Sequence, residues 1–174
     1  MIATRSRRRW LNAAGFGVAA ALMGYALYAQ HVQGYEPCPL CVLQRIAMIA
    51  VGLVFAAAAL HAPRGAGARV YGALGALAAL TGAGVAGWHV RLQNLPPSEV
   101  PACGPGYDYI METFGPLQGL SMIFTGSGEC ANVDWSFLGL SMPAWVFVWF
   151  VALAALALAA NWPRVSDSRG SSFR

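Results

Sequence analysis

The run FLGLSMPAWVFVWFVALAALALAANW, residues Phe137 to Trp162, contains no charged side chain. A helix needs roughly 20 apolar residues, rising 1.5 Å each, to cross the hydrocarbon of a bilayer, so this stretch reads as a membrane span. Pro143 suits the first turn of such a helix, where a missing N–H costs nothing. Trp145 and Trp149 read as interface or packing residues.

Working outward, three more uncharged runs follow the same arithmetic: Trp10 to Tyr28, Ile46 to Leu60 and Val70 to Val90. The second is too short unless it starts near Cys41 and takes Arg45 into its first turn. The expected spans are therefore 10–29, 41–60, 70–90 and 143–162, in one integral membrane domain covering 1–174. Composition agrees, because 57% of the 174 residues are hydrophobic and only 10% charged, with a mean hydropathy of +0.53. A soluble enzyme and a disordered chain are excluded on these grounds. The fold class is all-α, a four-transmembrane-helix bundle.

The chain has no lysine, and its eleven positive charges are all arginine. A net charge of +4 could suggest nucleic acid, but the positions argue otherwise. Arg5, Arg7, Arg8 and Arg9 precede the first span, Arg64 and Arg69 lie between the second and third, and Arg164, Arg169 and Arg174 form the tail. Arginine near span ends marks the cytoplasmic side, so both termini are expected there and no nucleic-acid partner is. The first span also resembles a signal peptide, yet its apolar run exceeds the roughly 7 to 15 residues of a signal core.

The outer connections are 31–40 and 91–142. The longer one carries many apolar side chains between Tyr107 and Phe124, which predicts a short amphipathic segment on the membrane surface. On the third span, Gly75, Ala79, Ala83 and Gly87 recur every four residues and form a stripe that permits close helix contact.

All four cysteines, Cys38, Cys41, Cys103 and Cys130, fall in the outer segments or at the outer membrane edge. An even number confined to an oxidising side suggests two disulfides. Cys38-Pro39-Leu40-Cys41 is a C-x-x-C pair at a helix start, where the helix dipole favours thiolate. Two inert structural bridges would be the ordinary use of such cysteines. A four-cysteine zinc site generally needs two close pairs and is disfavoured on an oxidising side, so no metal is expected. Arg45, four residues after Cys41, shares its helix face. It can snorkel to the interface, or its buried guanidinium can stabilise an anion, either the Cys41 thiolate or a reduced organic acceptor.

Cys38-Pro39-Leu40-Cys41-Val42-Leu43-Gln44-Arg45, a long loop with Cys103 and Gly128-Glu129-Cys130, and Phe137-Leu138-Gly139-Leu140-Ser141-Met142-Pro143-Ala144-Trp145 together closely resemble the disulfide bond formation protein B (DsbB) family. The resemblance implies a protein-disulfide:quinone oxidoreductase of the bacterial inner membrane that reoxidises the periplasmic dithiol oxidase DsbA. It implies that Cys103 is attacked by the DsbA thiolate with Cys130 as its partner, and that Cys38 and Cys41 form the quinone-proximal pair. It further implies that Arg45 polarises the quinone, ubiquinone or menaquinone, that His89, which taken alone reads as a plain interfacial histidine, stands near it, and that a transient Cys130 to Cys38 bridge is the relay. Two other readings are a structural membrane protein with inert loop disulfides and a vitamin K epoxide reductase-like enzyme. In the latter family the C-x-x-C opens the last helix, whereas here it opens the second.

Overall fold

A computed structural model describes residues 2–96, 98–100 and 128–162. Four helices form the body: α1, Ile2–His31; α2, Pro39–His61; α3, Ala66–Gln93; and α4, Met142–Asn161. All four are long and apolar enough to cross a membrane, and the chain is a four-helix membrane protein. Cys103, the Tyr107 to Phe124 segment and the tail arginines lie outside the described residues.

Helices α1, α2 and α3 extend past their uncharged runs, because a helix can carry arginine at its ends where the side chain reaches water, whereas α4 lies inside its own. Thus α1 includes Arg5 to Arg9, and α3 includes Arg69 and Arg91. Helix α2 starts earlier than the pattern predicts. Cys38 is its N-cap and Pro39 its first residue, which places Arg45 in the second turn rather than the first. Pro143 does occupy the opening turn of α4.

Helix α3 packs most extensively against α4, while α2 lies against both α1 and α3 and α1 closes the ring on α4. The stripe on α3 faces α4, where Ala79 and Ala83 are buried and a Cβ on Gly75 would stand 3.1 Å from that of Ala157. Two glycines outside the stripe meet aromatic rings more closely still. A Cβ on Gly82 would fall 2.4 Å from the Phe150 ring, and one on Gly15 of α1 would meet Phe55 of α2 at 2.6 Å. Glycine therefore seats the two largest core rings, Phe150 and Phe55, which are fully buried. Leu53, Leu77 and Leu80 point outward and are more than half exposed, as expected where lipid replaces water.

At the end where α1 starts and α4 finishes, Asn12 and Asn161 are buried and exchange reciprocal amide hydrogen bonds of 3.1 and 2.9 Å. Asn12 also donates to the Arg8 carbonyl, Asn161 to that of Ala157, and the Arg8 guanidinium to Pro63 O in the α2–α3 connection. At the opposite end, β1 (Ser136–Phe137) and β2 (Leu140–Ser141) form a two-stranded hairpin that feeds α4. Its turn residues Leu138 and Gly139 both have positive φ, the backbone that a two-residue hairpin turn of primed type requires. Gln93 ties this region to α3, donating to Asn132 O and accepting from Ser141.

Candidate functional site

The site is assembled at the hairpin end, from the start of α2, the end of α3 and a 3-10 turn at Gly128–Ala131. Extended backbone at Cys38 turns into the helix at Pro39, and the Cys38 sulfur accepts the Cys41 N–H at 3.3 Å. That cap satisfies one of the N–H groups that a helix start leaves without a partner. It also folds the C-x-x-C back on itself, so that the two sulfurs stand 2.7 Å apart.

Cys130 is fully buried on the 3-10 turn, packed with Leu40 and Leu92. Its sulfur, that of Cys38 and a ring nitrogen of His89 all lie within 4.8 Å of one another. Cysteines more than ninety residues apart in sequence thus meet around one imidazole. The Cys38 thiol is held above the ordinary thiol range, first by its hydrogen bond with Cys130, then by that with Cys41 and by burial. The helix dipole by itself favours thiolate at this position, and at Cys38 the neighbouring sulfurs outweigh it.

His89 is only 3% exposed and does not behave as a plain interfacial histidine. Its Nε2 lies 3.0 Å from Cys130 O and 3.8 Å from the Cys38 sulfur, while its Nδ1 faces the buried Gln44 Nε2 at 3.0 Å. The Gln44 N–H donates to Nδ1, which leaves Nε2–H to donate to the Cys130 carbonyl. Gln44 is three residues beyond Cys41 on α2, so one turn of helix presents both the sulfur and the group that orients the imidazole.

Arg45 takes a different direction from the same turn. Its guanidinium donates to Gln30 Oε1 and, at 3.1 Å, to Ala26 O, both near the end of α1. It borders a cavity of about 110 Å³ between α1, α2 and the start of α4, walled by Leu22, Cys41, Met48, Pro143 and Val146. His89 is not among the residues lining that cavity; it stands with the sulfurs in the adjoining cleft. Cys41 borders both spaces. Of the residues singled out from sequence, Cys38, Cys41, Cys130 and His89 converge, Arg45 sits beside them, and Cys103 lies outside the described residues. Gln44 as an orienting group and Gln30 as the Arg45 partner were missed. The available signal was a lone polar side chain, Gln30, close to the end of an apolar run.

The arrangement holds sulfurs close enough for exchange, with a cation and an apolar cavity next to one of them. A family model described as disulfide bond formation protein DsbB matches residues 8–160. Curated relatives named disulfide bond formation protein B include one from Methylococcus capsulatus, 52% identical over 148 residues, covering 85% of this chain and 90% of the relative. Another from Nitrosococcus oceani is 47% identical over 86% of this chain and 89% of its own. A third, from an Azoarcus species, is 50% identical over 91% and 95%.

Proposed function

Because this chain belongs to the disulfide bond formation protein B family, a family of membrane disulfide oxidoreductases, we propose that it reoxidises a periplasmic DsbA-type dithiol oxidase and passes the electron pair to a membrane quinone. The chain is a multi-pass membrane protein. The reading places it in the bacterial inner membrane, with the cysteine end periplasmic and the arginine-rich termini cytoplasmic. What carries it is the meeting of Cys38, Cys41 and Cys130 at one buried histidine, next to a cavity that Cys41 and Arg45 share.

The steps are successive thiol exchanges. A thiolate of reduced DsbA attacks the Cys103 sulfur of a Cys103–Cys130 disulfide, and Cys130 leaves. The second DsbA thiol resolves the mixed disulfide and releases Cys103. Cys130 then attacks Cys38 of a Cys38–Cys41 disulfide and expels Cys41 as thiolate. Cys103 attacks Cys130, which restores the first pair and leaves Cys38 and Cys41 as a dithiol. The close approach of Cys130 to Cys38 supports this relay.

The cavity fits a quinone ring, since its walls are apolar and its polar border includes a guanidinium. Two of the guanidinium N–H groups serve Gln30 and Ala26 O, and a guanidinium has five, so donors remain for a ring oxygen. Bound there, a quinone supplies the two-electron acceptor that returns Cys38 and Cys41 to the disulfide. Arg45 would hold and polarise it and also stabilise negative charge at Cys41.

An anaerobic assay with the purified protein, reduced DsbA and ubiquinone or menaquinone, read by quinone absorbance, tests the proposal. Stoichiometric quinone reduction coupled to DsbA oxidation is expected. Turnover without quinone, or full turnover by Cys41→Ser, would overturn it.

A further inference from the structure

Cys38 Sγ, Cys130 Sγ and a ring nitrogen of His89 make a cluster whose donor atoms lie within 4.8 Å of one another, contributed by the cap of α2, the 3-10 turn and α3. We propose that these three residues form a binding site for a thiophilic divalent cation of the zinc type, present only when Cys38 and Cys130 are both thiols.

The geometry is close to what such an ion needs. With Zn–S bonds of about 2.3 Å and Zn–N bonds of about 2.0 to 2.1 Å, the sulfur-to-nitrogen edge of a tetrahedron is about 3.6 Å. The Cys38 sulfur and His89 Nε2 stand 3.8 Å apart. Two thiolates and an imidazole are a ligand set that zinc accepts with a fourth position left for water. Binding releases both thiol protons, which balances the charge of the ion against two thiolates.

His89 must give up Nε2–H to coordinate through that atom. Gln44 provides for this. A half-turn of its side-chain amide presents Oε1 in place of Nε2 to Nδ1, so that the imidazole carries its proton on Nδ1 and keeps a buried partner 3.0 Å away. Ligating histidines generally need such an outer partner to fix their tautomer. No four-cysteine pattern in the sequence contains this set, because the two sulfurs come from different pairs and the third ligand is an imidazole 41 residues before Cys130.

The site is gated by redox state. Oxidation of either pair removes one ligand, and a bound ion holds Cys38 and Cys130 apart from exchange. Occupancy and the relay proposed above are mutually exclusive uses of the same sulfurs. Metal binding itself does not depend on the quinone reading, and its readouts are separate from turnover.

The test uses the full chain in detergent, fully reduced, freed of reductant and held without oxygen. Cobalt(II) titrated into it should give the thiolate charge-transfer and tetrahedral d–d absorption of a two-sulfur site, at one ion per chain, displaced by zinc. Zinc should protect Cys38 and Cys130, but not Cys103, from alkylation read by peptide mass. Cys41→Ser and Cys103→Ser should retain the spectrum. Cys38→Ser, Cys130→Ser and His89→Ala should each weaken binding at least about tenfold, and Gln44→Ala by about 10-fold as an outer partner. Retention of full affinity by Cys130→Ser with loss in Cys41→Ser would assign the metal to the C-x-x-C alone and overturn the proposal. Equal binding by the oxidised protein would also overturn it.

Discussion

The two ends of the bundle both bury polar side chains, and they use them in opposite ways. At the end near the chain termini, Asn12 and Asn161 are matched to each other, each donating and accepting, and further bonds run to the Arg8 and Ala157 carbonyls. The pairing is closed. At the cysteine end, Gln44, His89, Cys38 and Cys130 share partners whose roles change with tautomer, redox state or ligand. A self-satisfied amide pair in an apolar bundle specifies how helices dock. A polar cluster with interchangeable partners leaves room for chemistry.

That contrast predicts that variants at the cysteine end alter reactions and those at the other end alter stability. The largest effect is expected for Cys41→Ser and Cys103→Ser, which should each abolish DsbA-dependent quinone reduction while the thermal unfolding midpoint in detergent stays near that of the parent. A large drop in stability would blur the contrast.

Arg45→Ala should raise the apparent KM for quinone by about tenfold or more, since a hydrogen bond to a charged group is worth about 1.5–3 kcal/mol. Disulfide exchange with DsbA in single turnover should be preserved. Gln30→Ala removes one of the two bonds that hold the guanidinium and leaves the one to Ala26 O, so KM should shift in the same direction by about threefold. An effect of Gln30→Ala on kcat with KM unchanged would remove its positioning role.

In the shaft between the ends, Gly82→Ala would push a methyl against the Phe150 ring, and overpacking of this kind costs about 1–3 kcal/mol. Gly84→Ala meets no atom within 4 Å and should be neutral or slightly stabilising by comparison of unfolding midpoints. The smallest coupling is expected at the amide pair. Asn12→Leu and Asn161→Leu should each destabilise, and the double variant should lose less than their sum, by about 0.6 to 2 kcal/mol, the range for polar pairs in membrane helices. Turnover per folded molecule should not change, and a loss there would break the division between the two ends.

The helices were legible because a bilayer demands about 20 apolar residues in a row, and Phe137 to Trp162 displays that demand without help from any other segment. Their ends were less so. Arginine belongs to no apolar run, yet Arg5 to Arg9 continue α1, since a helix end in water tolerates charge. The α3 stripe was visible as a four-residue spacing, but Gly82 and Gly15 were not. What distinguishes them is a ring from another helix, which no local pattern contains. Likewise His89 read as an ordinary interfacial residue, because its partners come from α2 and from the turn that holds Cys130.

From the residues alone come the number of helices, the side that carries the charges, the C-x-x-C at a helix start and the family to which its neighbours point. Each is a property of a contiguous segment, set by hydrophobic length, charge placement or a short spacing. Tertiary structure decided that Cys130 and Cys38 meet at a buried His89, that Gln44 orients that imidazole, and that Gln30 restrains Arg45. Those contacts join positions 15 to more than 90 residues apart, and they arise only once glycine-seated helices have come close enough to share their polar ends.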